Sequence, residues 1–188
     1  DISIEDEERA FRISTETDNQ LNFARQLLAG SMQEKFKKLP LRKGVGIVLL
    51  NQNNEVFVAK RIDNPNNYWQ MPQGGIDENE DYLDAATREL EEETSITNVK
   101  LIKELDGFQT YLLPQNLLGI IWKGKYKGQK QTWYLMKFLG PDSEINIHQK
   151  HPEFNEWKWV SIDELPNLIV SFKKDLYQAV IAEFTNSI

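Results

Sequence analysis

The chain has 188 residues, 40% of them hydrophobic, and a formal net charge of −7. This length supports one domain core with an extension, and a second full domain is not expected. The acidic balance argues against a protein that a broad basic surface holds to DNA or RNA, and the absence of cysteine excludes disulfides and thiolate metal sites. No segment approaches the roughly 18 consecutive apolar residues of a membrane helix. We therefore expect a cytoplasmic protein without membrane partners.

Residues 1–31 differ from the rest of the chain, since they are rich in acidic residues, Asn, Gln and Thr. One short helix is predicted within residues 21–30. The pair Gly30-Ser31 before Met32 resembles a cloning junction, which would make residues 1–31 a tag or fusion remnant before a domain of residues 32–188. A native acidic extension is the alternative, and both interpretations stay open.

From residue 41 onward, strand-like and helix-like segments alternate. Two apolar, β-branched runs at 44–50 and 56–60 flank the polar residues 51–54 and predict a hairpin. Apolar residues from Ile169 to Phe184 recur at spacings of three and four, which predicts an amphipathic helix. This order predicts an α/β fold with a mixed sheet flanked by helices. Further strands are predicted at 99–105, 132–139 and 157–160.

A polar helix is predicted between the glycine turn at 74–75 and about residue 95. Asp77 followed three positions later by Glu80 has the spacing of a capping box and places the helix start there. The apolar face that would anchor this helix against the sheet comprises Leu83, Ala86 and Leu90.

Three glutamates of this helix, Glu89, Glu92 and Glu93, fall on one face at about 100° per residue, whereas Glu91 points to solvent. Like charges at these spacings repel one another, so a cation is expected among them. Mg²⁺ fits, because hard divalent ions take oxygen ligands and are shared between carboxylates and substrate phosphates. Arg88 could fix the direction of a carboxylate by a bidentate bond. Taken alone, a glutamate-rich segment is more often a solvated helix face.

The wider pattern from residue 74 to residue 96 resembles the Nudix box. That motif is a glycine, five residues, a glutamate, seven residues, Arg-Glu, an aliphatic residue, any residue, two glutamates, any residue, a glycine and an aliphatic residue. The match would arise by chance with a probability on the order of 10⁻⁵. Ser95 departs from it, because the family usually has glycine there to end the helix in a left-handed conformation. The matching residues are Gly74, Glu80, Arg88, Glu89, Leu90, Glu92, Glu93 and Ile96.

Beyond the box, the chain resembles the bacterial RNA pyrophosphohydrolase branch of this family, which is akin to dinucleoside polyphosphate hydrolases. The resemblance covers about residues 41 to 184, and its clearest segments are 68–75, 128–138, 151–160 and 171–177. It implies a Nudix α/β/α sandwich and a Mg²⁺-dependent attack of water on phosphorus, with Mn²⁺ as an ion that could substitute.

The leading hypothesis is removal of pyrophosphate from 5′-triphosphorylated RNA, which leaves a 5′-monophosphate. Hydrolysis of diadenosine polyphosphates is the rival activity, and a noncatalytic nucleotide-binding module is the third alternative. The motifs around Trp69 and Gln129 are shared by both enzyme branches, so the sequence separates the two activities only weakly.

The resemblance also implies roles for individual residues. Glu89, Glu92 and Glu93 would bind the metal, with Arg88 beside them. Glu153 would bind another ion or act as general base, and both roles stay open. We interpret His148 and His151 as incidental, and the indoles of Trp69, Trp157 and Trp159 as core groups. Substrate contacts are implied at Arg42, Arg61, Tyr111, Lys130, Val170, Phe172 and Lys173.

Overall fold

The computed structural model describes residues 4–63 and 66–188. Within these residues, no helix contains an apolar stretch of the length that a membrane span requires. The helices are α1 (Ile4–Lys37), α2 (Tyr82–Thr94), α3 (Leu165–Leu168) and α4 (Lys174–Phe184). The strands are β1 (Leu41–Leu50), β2 (Val56–Arg61), β3 (Gln73–Gly75), β4 (Val99–Glu104), β5 (Gln109–Leu112), β6 (Gly128–Phe138) and β7 (Phe154–Val160).

The strands form one mixed sheet in the order β4-β6-β1-β2-β7, with β3 paired to β1 and β5 paired to β6. β1 and β6 run parallel, with Leu41 opposite Gly128 and Leu50 opposite Lys137. The remaining pairs are antiparallel. The residues of β1 and β6 are buried on both faces of the sheet, so both faces must be covered by other elements.

Each face of the sheet carries its own apolar core. Ile47 and Val48 are neighbours in β1, yet strand alternation places them in different cores. On the face that carries Ile47, α2 contributes Ala86 and Leu90 to the core. On the face that carries Val48, α4 contributes residues that include Tyr177. Helices on both faces confirm the predicted sandwich of a mixed sheet between helices.

The strands predicted from long apolar runs are confirmed, and the short polar ones were missed. Residues 51–54 form the expected hairpin turn, in which Asn51 Oδ1 accepts hydrogen bonds from the backbone N–H groups of Asn53 and Glu55, both at 2.9 Å. β6 begins at Gly128, ahead of the predicted residue 132. β3 and β5 are only three and four residues long, so no apolar alternation marked them. Gly74 and Gly75, which were expected to form a turn, belong to β3.

The predicted start of α2 was wrong. Its N-cap is Asp81, whose carboxylate accepts hydrogen bonds from the backbone N–H groups of the first turn. Asp77 and Glu80 form the preceding turn instead, where the Asp77 N–H donates to Glu80 Oε2 at 2.9 Å. At the other end, Ser95 adopts the left-handed conformation with φ 63° and donates its N–H to Glu91 O. Serine therefore ends the helix with the geometry that glycine usually supplies.

The terminal helices also differ from the expectation. Ile169 lies in extended backbone between α3 and α4, because the chain makes a separate turn at 171–173 before α4 begins. α1 is a continuous helix of 34 residues, much longer than the predicted 21–30 segment, and it passes Met32 without interruption. The interpretation of residues 1–31 as a tag remnant or a native extension stays a prediction.

We expect Gly46→Ala to lower the free energy of unfolding by about 1–3 kcal/mol through overpacking. A Cβ at Gly46 would lie 2.4 Å from the Trp133 ring, which is buried and contacts Tyr177 of α4 edge to face. Gly30→Ala is the matched control, because a Cβ there meets no atom within 4 Å, and alanine favours a helix by up to about 1 kcal/mol. Urea unfolding of both variants tests this, and equal stabilities would contradict the packing at Gly46.

Candidate active site

A cleft of about 470 Å³ opens where β1, β3, β5 and β6 approach α2. It gathers side chains that are far apart in the sequence, and most of the predicted substrate residues are among them. Its charged and aromatic lining residues are Arg42, Arg61, Asp63, Glu89, Tyr111, Trp122, Glu153, Phe172 and Lys173.

Two glycines of β3 let charged side chains reach the strand backbone. A Cβ on Gly74 would lie 2.0 Å from Glu89 Cδ. A Cβ on Gly75 would lie 2.2 Å from Arg42 Nη2. A side chain at either position would displace the charged group that lies against it. The glycine pair therefore brings a carboxylate of α2 and a guanidinium of β1 to the same short strand.

The Arg88 guanidinium connects the loop before α2 to the helix. It donates to both Glu80 oxygens, at 2.7 and 2.9 Å, and to the Gly75 carbonyl at 3.1 Å. Its Nη1 also contacts Glu89 Oε1 at 3.0 Å and Glu92 Oε2 at 3.2 Å. Hydrogen bonding to Arg88 lowers the pKa of Glu80 to about 2, and the same bond raises the pKa of Arg88. Arg88 thus fixes the direction of two predicted metal ligands.

Burial differs among the three glutamates of α2. The Glu92 side chain is 58% exposed and that of Glu89 is 13% exposed. Glu93 is buried, and neither of its carboxylate oxygens has a hydrogen-bond partner in the part of the chain that the structure describes. Burial raises the pKa of Glu89 to about 7. Burial, and then the charges of Glu153 and Glu89, raise the pKa of Glu93 well above its ordinary value.

These carboxylates suit a hard divalent cation, which prefers oxygen ligands. A cation beside Glu93 would offset the cost of burying an unpaired carboxylate. Glu89 and Glu92 are held by Arg88, and within residues 4–63 and 66–188 no three acidic or histidine side chains already converge on one point. The ligand roles of Glu89, Glu92, Glu93 and Glu153 therefore stay predictions.

Arg61 and Glu153 lie next to each other in the lining of the cleft. Arg61 makes a two-bond contact with Asp63, at 2.8 and 3.0 Å, and a longer one of 3.5 Å to Glu153 Oε2. The Ile62 N–H donates to the Glu153 carbonyl at 2.9 Å, which fixes the loop that carries Glu153. The predicted general base or metal ligand thus lies in the cleft beside a guanidinium.

A hydrogen-bonded chain of three glutamine side chains lies at the cleft, and no role was predicted for it. The Tyr111 hydroxyl donates to Gln129 Oε1 at 2.8 Å. Gln131 Nε2 donates to the same oxygen at 3.1 Å and to Gln73 Oε1 at 2.9 Å. The alternation of Gln129 and Gln131 was a detectable signal, because residues two apart in a strand share a face.

Lys173 and Phe172 approach the cleft from the turn before α4. Phe172 lies 5.8 Å from the Tyr111 ring, and Lys173 Nζ lies 5.1 Å from the same ring. Burial lowers the pKa of Lys173 to about 8. Two aromatic rings and a buried amine therefore lie together in the lining of the cleft.

Two predicted substrate residues lie outside the cleft. Lys130 is on the opposite face of β6 from Gln129, since adjacent strand residues alternate, and its Nζ lies 4.4 Å from the Phe108 ring. Val170 packs against the apolar core beside α4. Trp122, which lies in the cleft wall, was not predicted because a residue of the loop between β5 and β6 carries no periodic signal.

Comparison with known proteins shows the family to which this chain belongs. Residues 40–180 match the model of the NUDIX domain. The chain belongs to the Nudix family. Its Nudix domain is 64% identical, over 149 residues, to the RNA pyrophosphohydrolase of Pelagibacter ubique, with 79% of this chain and 94% of that protein covered. It is 50% identical over 145 residues to the RNA pyrophosphohydrolase of Rhodospirillum rubrum, with 77% and 87% covered.

Solved structures confirm the Nudix fold. The C. elegans Ap4A hydrolase in a binary complex superposes with a TM-score of 0.54 at 21% identity, covering 76% of this chain and 98% of that one. The E. coli dihydroneopterin triphosphate pyrophosphohydrolase superposes with a TM-score of 0.59 at 21% identity, covering 79% and 99%. At these identities, the likeness concerns the fold alone.

The acidic cluster of the Nudix domain predicts a pH-dependent stability. Glu89 and Glu93 have raised pKa values when folded, so the folded state binds protons more tightly and loses stability as the pH rises from about 5 to about 7.5. Without divalent ions, Glu93→Gln is expected to raise the melting temperature at the upper pH and to weaken this dependence. Glu91→Gln, an exposed substitution on the same helix, is the control. Thermal unfolding in a chelator measures both, and equal shifts in the two variants would contradict the burial of the Glu93 charge.

Proposed function

We propose that this chain is an RNA pyrophosphohydrolase that removes pyrophosphate from 5′-triphosphorylated RNA and leaves a 5′-monophosphate. The observation that carries the proposal is the cleft, which Glu89 of the Nudix box lines together with Arg42, Arg61 and Lys173, whereas Glu92 and Glu93 lie on the same helix outside its lining. Such a cleft can hold a polyphosphate between a metal-binding side and a cationic side. Relatives at 64% and 50% identity that are named RNA pyrophosphohydrolases support the RNA end as the substrate. The cytoplasm is the proposed location.

Glu89, Glu92 and Glu93 are the proposed ligands of a divalent ion, and Mg²⁺ is the proposed ion, with Mn²⁺ able to replace it. When bound, the ion neutralises charge on the phosphate oxygens and lowers the pKa of a coordinated water. Glu93 supports this assignment because its oxygens have no other partner among the described residues. Arg88 orients Glu89 and Glu92 by hydrogen bonds to one oxygen of each.

In the reaction, a water oxygen bonds to phosphorus while the phosphoanhydride oxygen leaves with the pyrophosphate. Glu153 lies in the cleft and could accept a proton from that water or bind an additional ion, and we keep both roles. Arg42 and Arg61 are proposed to bind phosphate oxygens through their planar guanidinium groups. Phe172 and Tyr111 offer aromatic surface to an unstacked base. Lys130 and Val170 lie outside the cleft, and no substrate contact is proposed for them.

We expect Glu92→Gln and Glu93→Gln each to lower the turnover of triphosphorylated RNA by orders of magnitude, because each removes a charged oxygen ligand. Glu91→Gln should keep the wild-type rate, since Glu91 is exposed. Release of pyrophosphate in Mg²⁺ measures all three, and circular dichroism confirms folding. Wild-type turnover in both ligand variants would refute the metal assignment, whereas a lack of pyrophosphate release by the unsubstituted protein would favour a noncatalytic binding module.

A competition experiment separates the two candidate substrates. The protein is incubated in Mg²⁺ with 5′-triphosphorylated RNA and with diadenosine tetraphosphate at equal concentrations. We expect a higher kcat/KM for the RNA, and we expect Mn²⁺ to support the same products. Rapid cleavage of the dinucleotide with unchanged RNA ends would replace the proposed activity by dinucleoside polyphosphate hydrolysis.

A further inference from the structure

Arg42 differs from the other arginines around the cleft in its partners. Arg61 is paired with Asp63 and Glu153, and Arg88 is paired with several glutamates. Arg42 has no carboxylate within ion-pair distance in the described parts of the chain, yet its guanidinium has defined neighbours. A cation held by uncharged groups keeps its charge available for an anionic ligand.

The guanidinium of Arg42 has two close neighbours. The first is the Trp122 indole, whose centroid is 5.4 Å from Arg42 Cζ. The second is the backbone of Gly75, where an added Cβ would lie 2.2 Å from Arg42 Nη2. The backbone of Arg42 is also fixed, because β1 pairs there with Gln129 of β6. The indole and the glycine therefore limit the directions in which this long side chain can point.

The loop that carries Trp122 is itself held in a defined shape. Trp122 and Lys123 both have left-handed backbone angles, with φ of 51° and 57°, which side chains rarely adopt. The Trp122 ring contacts Tyr126 edge to face, with centroids 6.2 Å apart. A Cβ on Gly119 would lie 2.9 Å from the Phe36 ring of α1, so the end of that helix supports the same loop. The contacts with Tyr126 and α1 therefore limit the positions that the indole can take.

We infer that Trp122 is a positioning residue that holds the Arg42 guanidinium in place to bind a phosphate group of the substrate. This inference rests on the proposed function, because it assigns Arg42 a phosphate of the 5′-triphosphate. A cation–π contact with an indole involves no carboxylate, so the guanidinium N–H groups that do not face the ring remain free to donate. Trp122 acts through Arg42, so its loss weakens binding of the polyphosphate while the carboxylate side of the cleft is unchanged.

The test is a double-mutant cycle between Trp122 and Arg42, read as kcat and KM for triphosphorylated RNA. Trp122→Leu is expected to raise KM about tenfold with kcat within about twofold, and Trp122→Phe, which keeps an aromatic face, to stay within about threefold of wild type. In the Arg42→Ala background, Trp122→Leu should change KM by less than about twofold. Equal effects of Trp122→Leu in both backgrounds would overturn the positioning role.

A further variant and a binding assay separate the role of Trp122 from the proposed function. Arg42→Lys retains the charge but loses the planar guanidinium, so it should raise KM like Trp122→Leu. A wild-type KM in this variant would overturn the inference even if Trp122→Leu does not fold.

Binding of tripolyphosphate, measured by calorimetry in the same variants, requires no RNA cleavage. Coupling in this assay without RNA hydrolysis would overturn the proposed function alone. RNA hydrolysis without coupling in either assay would overturn the role of Trp122 alone.

Discussion

The contacts of one guanidinium hold the acidic side of this cleft together. Arg88 binds Glu80, which precedes the N-cap of α2, and also Glu89 and Glu92, which lie in its later turns. It closes the loop onto the helix and also binds the carbonyl of Gly75 in β3. The bond to Glu80 is bidentate, a geometry that a lysine could not reproduce. Arg88 therefore connects β3, the loop before α2 and α2 itself. The spacing of the Nudix box places all of these partners within reach of one guanidinium.

The glycines of β3 impose a second constraint, which concerns space rather than charge. Gly74 lies against the Glu89 carboxylate, and Gly75 lies against the Arg42 guanidinium. A side chain at either position would push a charged group away from the strand. The parallel pairing of β1 with β6 then sets Arg42 beside Gln129, so the glutamine chain and the cation lie at the same end of the sheet. Sheet register thus decides which polar groups meet in the cleft.

Much of this architecture could be predicted from periodicity, and the errors have physical causes. Long apolar runs fixed the central strands, and the 3.6-residue repeat placed Leu90 in the core and Glu91 in solvent. The start of α2 was misplaced because two acidic residues, Asp77 and Asp81, can both cap a helix, and only the three-dimensional contact of Glu80 with Arg88 separates them.

The site was predictable where a motif carried it and unpredictable where contacts were long-range. The box glutamates were found by spacing, whereas Trp122 belongs to an irregular loop whose position depends on Tyr126 and on α1. Lys130 was assigned to the cleft by resemblance, although its strand parity points it to the opposite face. Resemblance identifies which segments matter, but alternation along a strand decides which of two neighbours faces the ligand.

The charges of the cleft are divided into two groups with different tasks. Arg88 and Arg61 are paired with carboxylates, so a phosphate bound by Arg61 would share its guanidinium with Asp63 and Glu153. Arg42 and Lys173 form no ion pair with a carboxylate in the described residues, and both lie against aromatic rings. A carboxylate beside either one would compete with phosphate for the same donors, whereas a ring holds the cation and leaves its charge unneutralised. The aromatic residues therefore leave Arg42 and Lys173 with unpaired positive charge in the same cleft that Glu89 and Glu153 line.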